Sequence, residues 1–165
     1  MVTELRKASI WDLRQTDLFA GLNDWALAKI MGICREDVFA PGDIIFTEGT
    51  DAEDVHLLLE GQVVLEIQIN AVQRRVTTIV DTVNRGHIFG WSALVEPHVL
   101  TASARCTQAA RVGLMNGTAL LGIFKEYPEI GYAVMKNLSA VISSRLTATR
   151  LGLQREIRQL HLLNW

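Results

Sequence analysis

Residues Gly86 to Val112 read GHIFGWSALVEPHVLTASARCTQAARV, and the rest of the chain is organised around them. Two glycines, Gly86 and Gly90, precede a short apolar segment. Pro97 then marks a turn, and the residues after it are small and alternate polar with apolar. The pattern predicts a loop, one helical turn and a second loop between two strands. Exposed N–H groups of such a turn form an anion site.

Working outward toward the N-terminus, the period changes twice. Glu4 to Arg14 carries apolar residues at helical spacing and predicts a short amphipathic helix. A second helix is expected from Asn23, its N-cap, to about Cys34, with Leu22 stapling onto Leu27. Beyond it lie short strands: Glu36 to Ala40, Ile44 to Phe46, Val55 to Glu60, Val63 to Ile69, then Arg74 to Val83 after a hairpin tip at Asn70-Ala71. Gly42, Gly49 and Gly61 read as turn residues. Turn signals every eight to twelve residues argue a sandwich or barrel, which Val112 to Met115 closes.

Toward the C-terminus the chain is helical. Thr118 is expected to cap a short helix through Lys125, and Pro128 stands where an N1 proline opens a long one. Leu138, Ile142, Leu146, Thr149, Leu153, Ile157 and Leu160 recur in steps of three or four, mostly at near-heptad spacing. That stripe is too long for a small domain to bury by itself, so a homodimer through this helix is expected. Arg145, Arg150, Arg155 and Arg158 make its second half basic and read as a solvated face.

Bulk properties bound the function. The 165 residues are 49% hydrophobic and 21% charged, with a formal net charge of −2, which fits a soluble globular domain and gives no overall field for nucleic acid or anionic membrane. No segment reaches the roughly 18 apolar residues of a membrane span, and no apolar run opens the chain, so a cytoplasmic location is expected. Cys34 and Cys106 read as free thiols. His56, His87, His98 and His161 include no His-x-x-x-His pair, and Asp51, Glu53 and Asp54 read as a solvated acidic turn rather than a calcium loop. Neither Gly-x-Ser-x-Gly nor a Walker phosphate loop occurs. No enzyme, no metal and no cofactor is expected.

The central stretch resembles the phosphate-binding cassette of cyclic-nucleotide-binding domains, in the catabolite activator-like (Crp/Fnr) superfamily. The family's run is Phe-Gly-Glu, two residues, Leu, then Arg-Ser/Thr-Ala. Phe89, Gly90, Ala93, Leu94, Thr101 and Ala102 match it, and Leu18-Phe19-Ala20-Gly21-Leu22 is similar to the start of such a domain. The resemblance implies a mainly β fold with flanking helices, a double-stranded β-helix or jelly-roll-like β-roll. One structural domain is then expected in three parts: a helical segment at 1–34, the roll at 35–116 with a cassette-like loop at 86–106, and at 117–165 a short helix and a long dimerisation helix.

The resemblance implies a ligand pocket at Phe89, Gly90, Trp91, Ser92, Ala93, Leu94, Leu100, Thr101 and Ala102. In the family the Arg pairs with the cyclic phosphate and the Glu accepts from the ribose 2′-hydroxyl. Here the Glu falls on Trp91 and the Arg on Leu100. Losing one partner of a buried charge pair costs about 2 to 5 kcal/mol, roughly 30-fold to several thousand-fold in affinity. Arg105 and His98 are the nearest substitutes, the first on a strand expected to run away from the phosphate, the second a weak cation near neutrality. The expectation is a non-enzymatic sensor module that takes a non-standard small ligand or none. The alternatives are a genuine cyclic AMP or cyclic GMP binder with an unusual pocket, and a ligand-free interaction platform. Catabolite activator-type regulators place a helix-turn-helix after the long helix; this sequence stops at Trp165 without one, so no direct DNA binding by this chain is expected.

Overall fold

The computed structural model describes residues 8–71 and 74–162. Helix α1 (Ile10–Arg14) starts at a capping box between Ser9 and Asp12. Helix α2 (Asp24–Met31) starts where Asn23 Oδ1 accepts the Ala26 amide at 2.9 Å. Both are shorter than the apolar pattern predicts. Ser9 is extended backbone, and the expected residues 4–7 lie outside the described ones. The second helix stops before Cys34 because Cys34 opens a strand paired with Met115.

Eight strands follow: β1 (Cys34–Phe39), β2 (Ile44–Phe46), β3 (Asp54–Glu60), β4 (Val63–Ala71), β5 (Arg74–Val83), β6 (Ile88–Phe89), β7 (Ser103–Cys106) and β8 (Ala110–Asn116). They form two antiparallel sheets, ordered β1-β8-β3-β6 and β2-β7-β4-β5. The sheets face each other as a β-roll around Leu58, Val63, Phe89, Ala104 and Val112. The strand β3 explains why its sequence is almost continuously apolar. Val55, Leu57 and Leu59 lean on the helices, while Leu58 fills the roll, so both faces are covered.

Local sequence fixes several joints. The β4–β5 pairing runs to Ala71 opposite Arg74, so Asn70 and Ala71, expected as a hairpin tip, are paired strand residues instead. At Gly61 φ is +86°, and a Cβ there would come 2.1 Å from the Ala109 carbonyl oxygen, so only glycine lets β3 turn this close to the strand beside it. On the outer face of β8 the buried Arg111 donates to Glu36 on one neighbouring strand, at 2.7 Å, and to Glu60 on the other, at 3.0 Å. That bracket ties the register of three strands together.

Helix α3 (Gly117–Glu126) is capped by Asn116, whose Oδ1 accepts the Ala119 amide at 3.0 Å, rather than by Thr118. Helix α4 (Pro128–Leu162) starts at its proline as the sequence predicts and runs 35 residues. Its length is about 52 Å at 1.5 Å per residue. Ile130, Val134 and Leu138 anchor its first half in the core, and Asn137 Nδ2 donates to the carbonyls of Leu18 and Ala20. The expected dimer stripe is thereby divided. Leu138 is 1% exposed and Ile142 leans on the same core, so both are covered from within the chain. Leu146 and Leu153 are 69% and 57% exposed, and Thr149 is exposed with its hydroxyl donating to the Arg145 carbonyl. The side chains of Ile157 and Leu160 lie outside the described residues. Among the described residues no helix is long and apolar enough to cross a membrane.

Candidate functional site: the turn after β6

The site is built on the pairing of β6 with β3, where His56 lies opposite Phe89 and Leu57 opposite Ile88. Phe89 stacks on the His56 ring at 5.0 Å and is buried inside the roll. Gly90 follows at φ +71°. A Cβ at Gly90 would lie 2.8 Å from His56 Nδ1 and 3.2 Å from Phe46 Cε1, so the tight approach requires glycine. The chain then makes a 3-10 turn, Trp91–Leu94, the single helical turn the sequence predicts. Ala93 and Leu94 pin that turn into the core beneath it, while Trp91 and Ser92 are half-buried.

The return loop is held from the β2–β3 connection. Leu100 N–H donates to the Thr50 carbonyl at 2.9 Å, Gly49 N–H to the Leu100 carbonyl at 2.8 Å, and Ala52 N–H to the His98 carbonyl at 2.8 Å. Leu100 itself is 5% exposed and belongs to the core cluster that holds Ala93 and Leu94. The position where the resemblance places an arginine is therefore an apolar packing position in this fold. Thr101 is exposed, and Ala102 is half-buried against the interior of the roll.

The two cations nearest in the sequence, Arg105 and His98, each have a partner of their own. Arg105 sits on β7 opposite Val64 of β4, and its guanidinium is engaged by Glu66, with Nε at 3.1 Å from Oε1 and Nη2 on the same oxygen. The Glu66 hydrogen bond and charge hold the Arg105 pKa above its ordinary value. His98 takes φ +57° and turns its ring back on the cassette, Nδ1 donating to the Ser92 carbonyl at 3.2 Å.

A third cation does reach the site, from the helix. Arg145 of α4 lies over the Trp91 ring, with Cζ 4.9 Å from its centroid. Its Nη2 donates to the Ile88 carbonyl at 3.0 Å, and Nη1 forms an ion pair with Asp81 of β5. One guanidinium thus joins the helix, the last strand before the cassette, β6 and the cassette turn. The indole face supplies a cation–π surface and the carboxylate supplies the counter-charge. In the sequence Arg145 reads as part of a solvated basic face, because no local pattern links a helix residue to an indole 54 positions earlier.

Burial, with the charges of Glu36 and Asp12, pushes the Cys34 thiol up to about 11, and burial also raises Cys106. Both are free, and such thiols are poor nucleophiles. Among the described residues no group of three or more His, Cys, Asp or Glu side chains is placed to hold a metal.

Comparison with known proteins agrees with this geometry. The family model of the cyclic nucleotide-binding domain matches residues 36–127. A Geobacter metallireducens protein assigned as a cyclic nucleotide-binding protein is 35% identical, with a TM-score of 0.72, over 85% of this chain and 99% of that one. A cyclic nucleotide-binding domain from Methylobacillus flagellatus has a TM-score of 0.77 at 16% identity, over 89% of this chain and 81% of its own. The catabolite activator protein of Thermus thermophilus has a TM-score of 0.68 at 22% identity, with 84% of this chain covering 62% of it. No curated protein sequence matches the chain. The roll, the cassette turn between β6 and β7, and a family match spanning more than half its length together establish that the chain belongs to the cyclic nucleotide-binding domain family.

Proposed function

We propose that this chain is a non-enzymatic regulatory module in which cyclic AMP and cyclic GMP are not the working ligands. The observation that carries the reading is Arg145, which lies on the cassette from α4 and satisfies its guanidinium on Trp91, Ile88 and Asp81. Two further features support it. Leu100 is packed into the core and offers no charge to a cyclic phosphate, and Arg105 is spent on Glu66. A phosphate monoanion would have to leave water for a turn beside which Arg105 and Arg145 are already paired, and burying a charge without a partner is strongly unfavourable.

In this reading the cassette is closed by the chain's own helix, and the signal is the position of α4. The exposed leucines Leu146, Leu151 and Leu153 lie beyond the Arg145 contact, where α4 leaves the core. They favour a second element of the same reading, a homodimer through the outer half of α4, since a helix of that length with an uncovered apolar stripe gains by pairing with a copy of itself. Isothermal calorimetry with each nucleotide tests the ligand reading. The expected outcome is no saturable heat at micromolar concentrations; a micromolar or tighter dissociation constant for either nucleotide overturns it.

A further inference from the structure

Over the exposed part of α4, Leu146, Thr149 and Leu153 follow one another in steps of three and four, the spacing of alternating a and d positions. Arg145 then stands at the g position ahead of Leu146, and Arg150 at the e position after Thr149. In a parallel two-stranded seam the g side chain of one helix faces the e side chain of its neighbour across the apolar stripe. Arg145 of each copy would therefore meet Arg150 of the other, and by the two-fold this happens on both sides of the seam. Like charges in that place oppose pairing.

The clasp on the cassette changes that balance. The Arg145 guanidinium is drawn onto the body of its own chain, over Trp91 and onto the Ile88 carbonyl and Asp81. Asp81 thus sits on the flank of α4 from which Arg145 leaves, and that is the flank where Arg150 of a second copy arrives. Its carboxylate has capacity left. Oδ1 accepts the Thr82 amide at 2.8 Å, Oδ2 takes Arg145, and the side chain stays 36% exposed. Each carboxylate oxygen accepts in more than one direction, so a second guanidinium can share the group. Arg150 is the complementary half. It is exposed, and among the described residues it has no carboxylate partner. The leucines on either side of it, Leu146 and Leu153, are exposed as well, so the stripe it flanks is open to a second helix.

We propose that Asp81 is shared in the dimer between its own Arg145 and Arg150 of a second copy, so that each cassette clasp is completed by a charge from its partner. This rests on the homodimer reading above and adds the orientation of the helices, which run parallel for the g and e positions to meet. It also joins the two parts of that reading. Drawing Arg145 or Asp81 out of the clasp leaves two guanidinia facing each other and loosens the seam, so the state of the cassette sets the strength of dimerisation. The coupling is reciprocal: pairing of two copies holds Asp81 where it engages Arg145.

Sedimentation equilibrium of the full chain and its variants, at low and high sodium chloride, tests the proposal. A loss of about threefold per ion pair, repeated about the two-fold, weakens the Asp81→Asn dimer about tenfold. The seam of that variant is repulsive, so added salt should tighten it, whereas salt should loosen the wild-type dimer. Adding Arg150→Glu to Asp81→Asn puts a carboxylate opposite Arg145 and should restore the dissociation constant to within about threefold of the wild type. Arg150→Gln with Asp81 kept should weaken the dimer about threefold. A dimer equally strong in Asp81→Asn, or no recovery on adding Arg150→Glu, overturns the shared carboxylate and leaves the homodimer standing. A wild-type chain that is monomeric at every concentration overturns the homodimer reading too, while the nucleotide titration is decided apart from both. If Asp81→Asn does not fold, an unchanged dissociation constant in Arg150→Gln overturns the proposal equally.

Discussion

Arg145 and Trp91 lie 54 residues apart in the chain and face each other with the guanidinium carbon 4.9 Å from the indole centroid. The contact occurs where α4 passes the edge of the roll, beyond the core-packed Leu138 and Ile142. It is the last described anchor of the helix on the body of the domain before the exposed leucines begin. A side chain in that place sets where the remainder of the helix points, because a rigid rod is steered by its last fixed point.

The clasp is tested by removing it. Arg145→Ala takes away a stacked, partly shielded cation, a carbonyl hydrogen bond and a partly exposed ion pair. Together these are worth about 1 to 2 kcal/mol after solvent screening. Hydrogen exchange should accelerate in α4 beyond residue 142 and in the turn at 88–95, while β3 and β8 stay protected. Arg145→Lys should rescue only in part, since an ammonium keeps the charge but loses the planar stack and the forked donors. Unchanged exchange in the Ala variant would show that α4 is held by its core leucines alone.

The division of the apolar stripe refines the dimer expectation. Leu138 and Ile142 are taken up inside the chain, so replacing them would unfold the domain rather than separate copies of it. The informative substitutions are on the exposed part. Leu153→Asp and Leu146→Asp should each shift sedimentation toward the monomer mass while leaving circular dichroism of the roll intact, with a leucine fully buried at the seam contributing roughly 1.5 to 3 kcal/mol. An unchanged mass across a hundredfold concentration range for both variants would remove α4 as the interface.

Much of the fold was legible because period and punctuation agree in this chain. The strands alternate or run apolar between glycines with positive φ, and Pro128 and Asn23 mark helix starts where the structure has them. The helix ends were less legible. Cys34 continues the apolar pattern of α2, yet pairing with Met115, 81 residues away, draws it into the sheet. In the site, the residues at Trp91 and Leu100 could be picked out by motif, but not what packs against Trp91. Arg145 reaches the cassette only because α4 lies across it, a matter of tertiary trajectory. Asp54 was different, since its signal was present. It has the same parity as His56 and Leu58 along β3, and following that alternation inward separates it from its exposed neighbours Asp51 and Glu53.

Rebuilding the cassette follows from the same geometry. Trp91→Glu with Leu100→Arg supplies both side chains the family uses, but a glutamate at 91 would also face the guanidinium of Arg145. The double variant is expected to bind cyclic AMP only weakly, and adding Arg145→Ala should tighten it about tenfold by freeing that glutamate, the equivalent of one charge-assisted contact. Calorimetry on the two variants decides between competition by Arg145 and a cassette too altered to accept the ligand. No binding by the triple variant, with native hydrogen exchange in β3 and β8, would mean the second.

The last prediction concerns His56, which is 5% exposed between Phe46, Phe89 and the Gly90 backbone. Burial, reinforced by the positive charge of Arg35, lowers its pKa from 6.5 to about 4. The unfolded chain therefore takes up a proton on this imidazole between those two values and the folded chain does not. Stability must fall as pH drops from about 6.5 to about 4 and stop falling from this cause below it, by about 3 kcal/mol in all. Asp54 acts in the opposite sense, because burial raises its folded pKa and protonation favours the folded state as pH falls. The wild-type curve is the sum of the two, so the difference from His56→Phe isolates the imidazole. Urea melts from pH 7.5 to pH 4 should show the wild type losing stability relative to that variant steadily as the pH falls. Parallel curves would mean that His56 takes its proton without cost in the fold, and that the aromatic cage around it opens to water.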